Sequence, residues 1–106
     1  MYVTYERARG ELNAALHGEI DHHSAKNVRE DLDRTILKER PDEFRLELSN
    51  ITFMDSSGLG LVMGRYKTVA AIGGTMSIVN PSESVTKILS MAGLDKLVKI
   101  ERRDRR

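Results

Sequence analysis

The middle of the chain switches repeatedly between helical and strand periodicity, and this alternation limits the possible folds more than any other feature. The first helical pattern is a stripe of apolar residues three or four apart, formed by Ala25, Val28, Leu32 and Ile36. Strict alternation at Phe44, Leu46 and Leu48 then predicts a strand. A second helical pattern over 59–72 and a short apolar strand at 76–79 follow. Strands joined through helices favour parallel pairing and right-handed crossovers.

Strands are also predicted on both sides of this middle region. Apolar and polar residues alternate over 12–16 and more loosely over 3–8, which indicates two strands joined by a turn at 9–11. Toward the carboxyl terminus, the spacing predicts a third helix over 80–92 and a last strand near 97–100. The predicted order is therefore β-β-α-β-α-β-α-β.

Helix boundaries are predicted from residues that satisfy or interrupt the backbone. Ser24 is a candidate N-cap for the first helix, and Pro41 marks the exit from that helix. Gly73 and its neighbour Gly74 can stop the second helix in a left-handed conformation. Asn80 with Pro81 is predicted to start the third helix.

These elements predict one α/β domain over residues 1–106. The chain has 106 residues, which is enough for one domain with a modest core and too few for two. We expect a mixed, mostly parallel sheet of four to five strands with three or more helices. The basic segment at 101–106 is predicted to be a solvated, flexible tail.

Composition argues against several classes of partner. Lys and Arg total 17, and Asp and Glu total 16. The chain therefore lacks the large positive charge that would predict binding to nucleic acid or to an acidic membrane. No apolar run approaches the roughly 20 residues of a membrane helix, and no cleavable signal is recognised at the start. The chain lacks cysteine, which excludes disulfides and thiol catalysis. The expected compartment is the cytoplasm.

The stretch FMDSSGLG at 53–60 lies between a predicted strand and a predicted helix. Open α/β sheets usually present binding groups at such carboxyl ends of strands. Helix capping explains one of Asp55, Ser56 and Ser57, but not all three. Leu61 and Met63 lie off the buried stripe predicted for this helix, which consists of Leu59, Val62, Tyr66, Val69 and Ala70. Together these features indicate an exposed contact surface beside a polar turn.

Three alternative chemistries fit the residues less well. A hydrolase nucleophile elbow centred on Ser57 would need glycine at positions 55 and 59, which hold Asp and Leu. A phosphate-binding loop starting at Gly60 has too short a gap and no Lys-Ser/Thr ending. A metal site at 21–23 would need further ligands, and His17 is the only other histidine. No catalytic or metal-binding residues are therefore predicted.

Several segments resemble the bacterial anti-sigma factor antagonists of the STAS fold family. The resemblance is carried by FMDSSGLG at 53–60, GEIDHHSA at 18–25, MGRYK at 63–67, IGG at 72–74 and SMAGLDKL at 90–97. The paired histidines and the MGRYK segment resemble the sporulation branch of the family. The general-stress branch shares the serine turn but usually lacks those two segments. A general-stress antagonist and a STAS scaffold or sensor module are the alternatives.

The resemblance implies a regulatory binding protein and not an enzyme. Ser57 matches the family's phosphorylated residue, and the expected kinase is the anti-sigma factor itself. A metal-dependent phosphatase would remove the phosphate, and ATP and magnesium would belong to the kinase, so no cofactor is expected here. The free chain is expected to be a monomer. The predicted partner-binding residues are Asp21, His22, His23, Asp55, Ser56, Ser57, Gly58, Leu59, Gly60, Leu61, Met63 and Gly64.

Overall fold

A computed structural model of the protein describes residues 1–103. The strands in this range are β1 Tyr2–Ala8, β2 Glu11–Ile20, β3 Glu43–Met54, β4 Thr75–Val79 and β5 Lys99–Glu101. The helices are α1 His22–Glu39, α2 Ser57–Ala71 and α3 Glu83–Met91, and a short 3-10 helix covers Leu94–Lys96. This order confirms the predicted alternation, with the 3-10 helix as an addition.

The five strands form one sheet in the order β1-β2-β3-β4-β5. β1 and β2 are antiparallel and joined by a tight turn, in which Gly10 has a positive φ of 74°. The other three pairings are parallel, and each is made by a connection that contains a helix. The predicted mixed, mostly parallel sheet is therefore confirmed.

The core lies between one face of the sheet and the helices. Alternate residues of β2 and β3 are buried there: Leu12, Ala14, Leu16, Phe44, Leu46 and Leu48. The stripe predicted for the first helix is buried in α1. α2 contacts β3 and β4 and also packs against α1. The two helices consequently begin on the same side of the molecule, at the carboxyl ends of β2 and β3.

The start of α1 differs from the sequence prediction. Asp21 is the N-cap, and its carboxylate oxygen Oδ1 accepts a hydrogen bond from the Ser24 amide at 2.9 Å. The Asp21 amide in turn donates to Ser24 Oγ at 3.2 Å, which completes a capping box. Ser24 is thus the third residue of the helix. His22 and His23 consequently lie in its first turn, whereas a helix capped by Ser24 would begin after both of them.

The predicted start of α3 and the predicted tail were also wrong in part. Ser82 caps α3, while Asn80 has a positive φ of 53° and pairs its side-chain amide with the backbone of Arg103. Glu101 belongs to β5, and Arg102 donates to Thr86 Oγ1 at 2.9 Å. The segment that was predicted to be a tail therefore begins as ordered structure. Its remaining part, residues 104–106, lies outside the described residues.

An ion pair with a buried guanidinium joins α1 to α2. The guanidinium of Arg65 is 4% exposed and lies 2.8 Å from the carboxylate of Asp33, which also accepts a hydrogen bond from Thr68 at 2.9 Å. Burial lowers the pKa of Arg65, and the neighbouring Asp33 opposes this effect. The pair fixes the relative position of the two helices that carry the candidate site.

Replacing Asp33 by alanine should destabilise the fold, because it leaves the buried Arg65 cation without its partner. Asp33 is one-third exposed, so water screens part of the charge, and we expect a loss of about 2 kcal/mol. Urea denaturation measures the difference. Replacing Arg7, whose pair with Glu39 is exposed, should change stability by only about 0.5 kcal/mol. Equal losses in both variants would contradict this role for the pair.

Candidate functional site

Two aspartates begin the site at the ends of neighbouring strands. Ile20 of β2 and Met54 of β3 are partners in the sheet, and each is followed directly by an aspartate. The amide of Asp55 donates to the carbonyl of Ile20 at 3.1 Å, which holds the two strand ends together. α1 and α2 then start just after Asp21 and Asp55. Their positive N-terminal ends therefore lie side by side.

The Asp55 carboxylate holds Ser57 at the first position of α2. Its Oδ1 atom accepts a hydrogen bond from the Ser57 amide at 2.8 Å and another from the Ser57 hydroxyl. The Ser57 side chain is partly buried. Because the hydroxyl proton points to Asp55, the lone pairs on Ser57 Oγ stay free to act as an acceptor or a nucleophile.

Ser56 has a different environment from Ser57. It is exposed, and its side chain makes no capping hydrogen bond. The residue already has helical dihedral angles, with φ of −63° and ψ of −20°, and not the extended conformation of an ordinary N-cap. The cap of α2 is therefore supplied by Asp55, one residue earlier than a serine cap would be.

Hydrogen bonds from Ser57 hold the pKa of Asp55 below its usual value, with the side-chain hydroxyl as the larger cause and the backbone amide next. Asp21 has a lowered pKa for the same reason, since the amide and hydroxyl of Ser24 both donate to it. A carboxyl group whose pKa is lower in the folded than in the unfolded chain stabilises the fold at pH values above its unfolded pKa. This stabilisation is lost as the pH falls through the pKa of the folded chain. Both carboxylates are consequently ionised at neutral pH.

Removing the Ser57 hydroxyl should raise the pKa of Asp55. In Ser57→Ala only the backbone amide of residue 57 still donates to the carboxylate, so the pKa should move toward the ordinary aspartate value. A carbon-13 NMR titration of the Asp55 carboxyl measures this change. Ser56→Ala is the matched control and should leave the titration unaltered. An unchanged Asp55 pKa in Ser57→Ala would show that the hydroxyl does not bind the carboxylate in solution.

A groove of about 480 Å³ runs between the starts of α1 and α2. Its α1 side is basic, and its α2 side is small and apolar apart from Ser57. The lining residues are His22, His23, Ala25, Lys26, Arg29, Ser57, Gly60 and Leu61. Among residues 1–103, no carboxylate lines the groove. The candidate phosphorylation residue therefore faces a concave surface with cationic side chains on the opposite wall.

Four of the predicted contact residues form an accessible face on α2. Gly60 is exposed, while Leu59, Met63 and Gly64 are partly buried. Among residues 1–103, no atom beyond the neighbouring helix backbone lies within 4 Å of where a Cβ would stand on Gly60 or Gly64. Packing within the described fold therefore does not require glycine at these two positions.

Gly58 and Leu61 do not belong to the exposed contact surface that was predicted. Leu61 is only 2% exposed, because α1 packs against its side of α2. A helix with one buried stripe would have exposed that side to solvent. Gly58 is buried, and a Cβ there would lie 2.3 Å from Met54 Cγ. Both residues therefore support the fold beneath the site, and Leu61 forms only the inner wall of the groove.

Phe53 was missed as a candidate contact residue. β3 continues to Met54, beyond the predicted strand, and the Phe53 side chain is 50% exposed beside the serine turn. The alternation of β3 breaks at Ile51, which is buried although a count of every second residue from Phe44 places it on the outer face. The alternation alone therefore does not identify Phe53 as an exposed aromatic residue.

The alternative chemistries gain no support from this geometry. Within residues 1–103, no three His, Cys, Asp or Glu side chains are arranged to hold a metal ion. The hydrogen-bond partner of the Ser57 hydroxyl is Asp55, and the two neighbouring histidines contact each other edge-on with ring centroids 5.9 Å apart. None of the helices in the described part of the chain combines the length and apolar character that crossing a membrane requires.

Comparisons with known proteins identify the family. The STAS domain family matches residues 2–104. The anti-sigma F factor antagonist of Paenibacillus polymyxa is 39% identical, with 94% of this chain and 86% of that protein covered. The structure of the anti-sigma factor antagonist SpoIIAA in its unphosphorylated form has a TM-score of 0.83 at 29% identity, covering 97% of this chain and 89% of that one.

The phosphorylated form of the Bacillus cell fate determinant SpoIIAA is a further structural match. Its TM-score is 0.77 at 28% identity, and the match covers 97% of this chain and 92% of that chain. Both structural matches cover 97% of this chain. The chain therefore belongs to the STAS domain family and, within that family, to the anti-sigma factor antagonists.

Proposed function

We propose that this chain is a sporulation-type antagonist controlled by phosphorylation of Ser57. The unphosphorylated form binds an anti-sigma factor that is also a serine kinase, and this binding releases the sigma factor. Phosphorylation of Ser57 ends the interaction, and a metal-dependent phosphatase restores it. The observation that carries the proposal is the Ser57 hydroxyl, held by Asp55 at the start of α2 and facing an open groove.

Three further findings support the proposal. The Paenibacillus polymyxa relative is named as an antagonist of the anti-sigma F factor, and it covers nearly the whole chain. SpoIIAA, which shares the fold, is known in unphosphorylated and phosphorylated forms. The paired histidines of the sporulation branch lie in the first turn of α1, on the wall opposite Ser57.

Phosphoryl transfer needs only an oriented hydroxyl from this chain. Ser57 Oγ attacks the γ-phosphorus of ATP that the kinase holds with magnesium, the bond between the γ-phosphorus and the bridging oxygen breaks, and ADP leaves. The hydroxyl proton passes to a base of the kinase or to solvent. Asp55 orients the hydroxyl, but its low pKa makes it a poor proton acceptor at neutral pH.

The kinase is proposed to dock on the surface around Ser57. Asp21, His22 and His23 form one edge of this surface, and Asp55 and Ser56 lie beside the acceptor hydroxyl. The α2 face formed by Leu59, Gly60, Met63 and Gly64 continues it, and Phe53 adds an exposed aromatic ring at its margin. A partner that covers this area necessarily covers Ser57, which couples binding to phosphorylation.

A phosphate on Ser57 should alter binding more than it alters the fold. It adds about −1.5 to −2 charges at neutral pH. The N-terminal end of α2 favours an anion, so the free chain tolerates the group, although Asp55 opposes it. An interface that fits a neutral hydroxyl must instead desolvate a dianion, which costs about 3 kcal/mol and corresponds to roughly 100-fold in affinity.

Mass spectrometry tests the proposed modification directly. The chain is incubated with the anti-sigma factor kinase, magnesium and ATP, and the phosphate is mapped by peptide sequencing. We expect one phosphate on Ser57, and none on Ser57→Ala, while Ser56→Ala should be modified normally. A phosphate on Ser56, or no phosphate on a chain that still binds the kinase, would contradict the proposal.

A further inference from the structure

The α1 wall of the groove carries two basic side chains whose charges are not neutralised within the described structure. Lys26 and Arg29 lie on the same face of α1 and are both exposed, and both line the groove with Ser57. Neither forms an ion pair within 4.0 Å with a carboxylate of residues 1–103. The first turns of α1 and α2 contain no acidic residue. The groove therefore presents positive charge opposite a hydroxyl.

Phosphorylation would change the preferred direction of the Ser57 side chain. The hydroxyl now donates its proton to Asp55, and esterification removes that proton. The new dianion would instead repel the ionised Asp55 carboxylate, which lies at hydrogen-bond distance from the same oxygen. Rotation away from Asp55 relieves this repulsion, and the groove with its two free cations is the open space beside Ser57.

We propose that Lys26 and Arg29 hold the phosphate of modified Ser57 inside the groove between α1 and α2. The inference rests on the proposed function, because it assigns a binding site to the phosphate that the kinase adds. Lys26 and Arg29 supply charged donors to the phosphate oxygens, and His22 and His23 line the same groove. The phosphate thereby occupies part of the groove beside the proposed docking surface, so the kinase meets both an added charge and less open space.

The second ionisation of the phosphate reports this arrangement. Nearby cations favour the dianion, so the held phosphate should have a second pKa below that of free phosphoserine. The groups around it that also carry or gain charge are His22 and His23 on the groove wall and Asp21 and Asp55 at the helix starts. Phosphorus-31 NMR titration follows the phosphate itself and separates its ionisation from theirs.

The test compares variants of the full chain that carry phosphoserine at position 57 through genetic code expansion. In Lys26→Gln/Arg29→Gln the second pKa of the phosphate should rise by about half a unit or more. Lys38→Gln/Lys99→Gln removes the same charge from exposed positions at the far end of α1 and on β5, and should leave the pKa unchanged. All four side chains are exposed, so both variants are expected to fold.

Two results would overturn the inference. One is an unchanged phosphate pKa in the groove variant, and the other is an equal rise in the control variant, which would reflect net charge alone. The kinase is not needed for this measurement. If the kinase does not phosphorylate Ser57, mass spectrometry refutes the proposed function. If Lys26 and Arg29 do not hold the phosphate, only the NMR titration shows it.

Discussion

Ser57→Asp is expected to weaken binding to the anti-sigma factor kinase by about 100-fold while leaving the fold intact. The carboxylate imitates part of the phosphate charge and lies beside Asp55 at the centre of the proposed interface. The start of α2 accepts a negative charge without unfolding, because its backbone amides and dipole favour anions. Isothermal titration calorimetry with the purified kinase measures the affinity, and thermal denaturation checks the fold.

Two neighbouring variants make this result specific to position 57. Ser57→Ala keeps the surface neutral and should bind within a few-fold of the unchanged chain, although it cannot be phosphorylated. Ser56→Asp places the same charge one residue earlier, on an exposed side chain outside the groove lining. It should weaken binding by less than about tenfold. A Ser57→Asp chain that binds as tightly as Ser57→Ala would contradict the proposed switch.

Replacing both Gly60 and Gly64 by alanine is expected to stabilise the free chain and to weaken kinase binding. Each glycine in a helix interior lowers stability by about 1 kcal/mol relative to alanine, and the described fold has room for a methyl group at both positions. A well-packed interface has no such room, so two added methyl groups should reduce the affinity about tenfold. Urea denaturation and calorimetry measure the two effects separately.

Ala70→Gly provides the reciprocal control on the same helix. Ala70 is exposed in α2 and lies outside the proposed docking surface. This variant should lose less than about 1 kcal/mol of stability, because Ala70 lies in the last turn of α2, and it should bind the kinase normally. If the double alanine variant were stabilised but bound with unchanged affinity, the glycine face would not be part of the interface.

The fold could be predicted because most of its elements have a one-sided apolar pattern. The α1 stripe and the alternation in β3 each identify a buried face without knowledge of the neighbours. α2 was predicted less accurately, because it is covered by the sheet on one side and by α1 on another. Leu61 therefore looked like a surplus apolar residue, although it is buried in the core.

The helix starts show a second limit of sequence interpretation. Asp21 and Ser24 are three residues apart, and both are good N-cap residues, so the sequence allows either one to begin α1. The reciprocal hydrogen bonds between them show that Asp21 is the cap. The position of Ser57 at the strand-to-helix junction was predicted from the motif. Its bond to Asp55 is a local contact between residues two positions apart. The basic wall facing it depends on how α1 and α2 pack, which no local pattern encodes.

The most direct test of the account compares the phosphorylated and unphosphorylated chain in binding to the anti-sigma factor kinase. Both forms are prepared from the same material, checked by mass spectrometry, and titrated into the kinase with ADP in a calorimeter. We expect the phosphate on Ser57 to weaken binding by about 100-fold or more. Equal affinities for the two forms would contradict it.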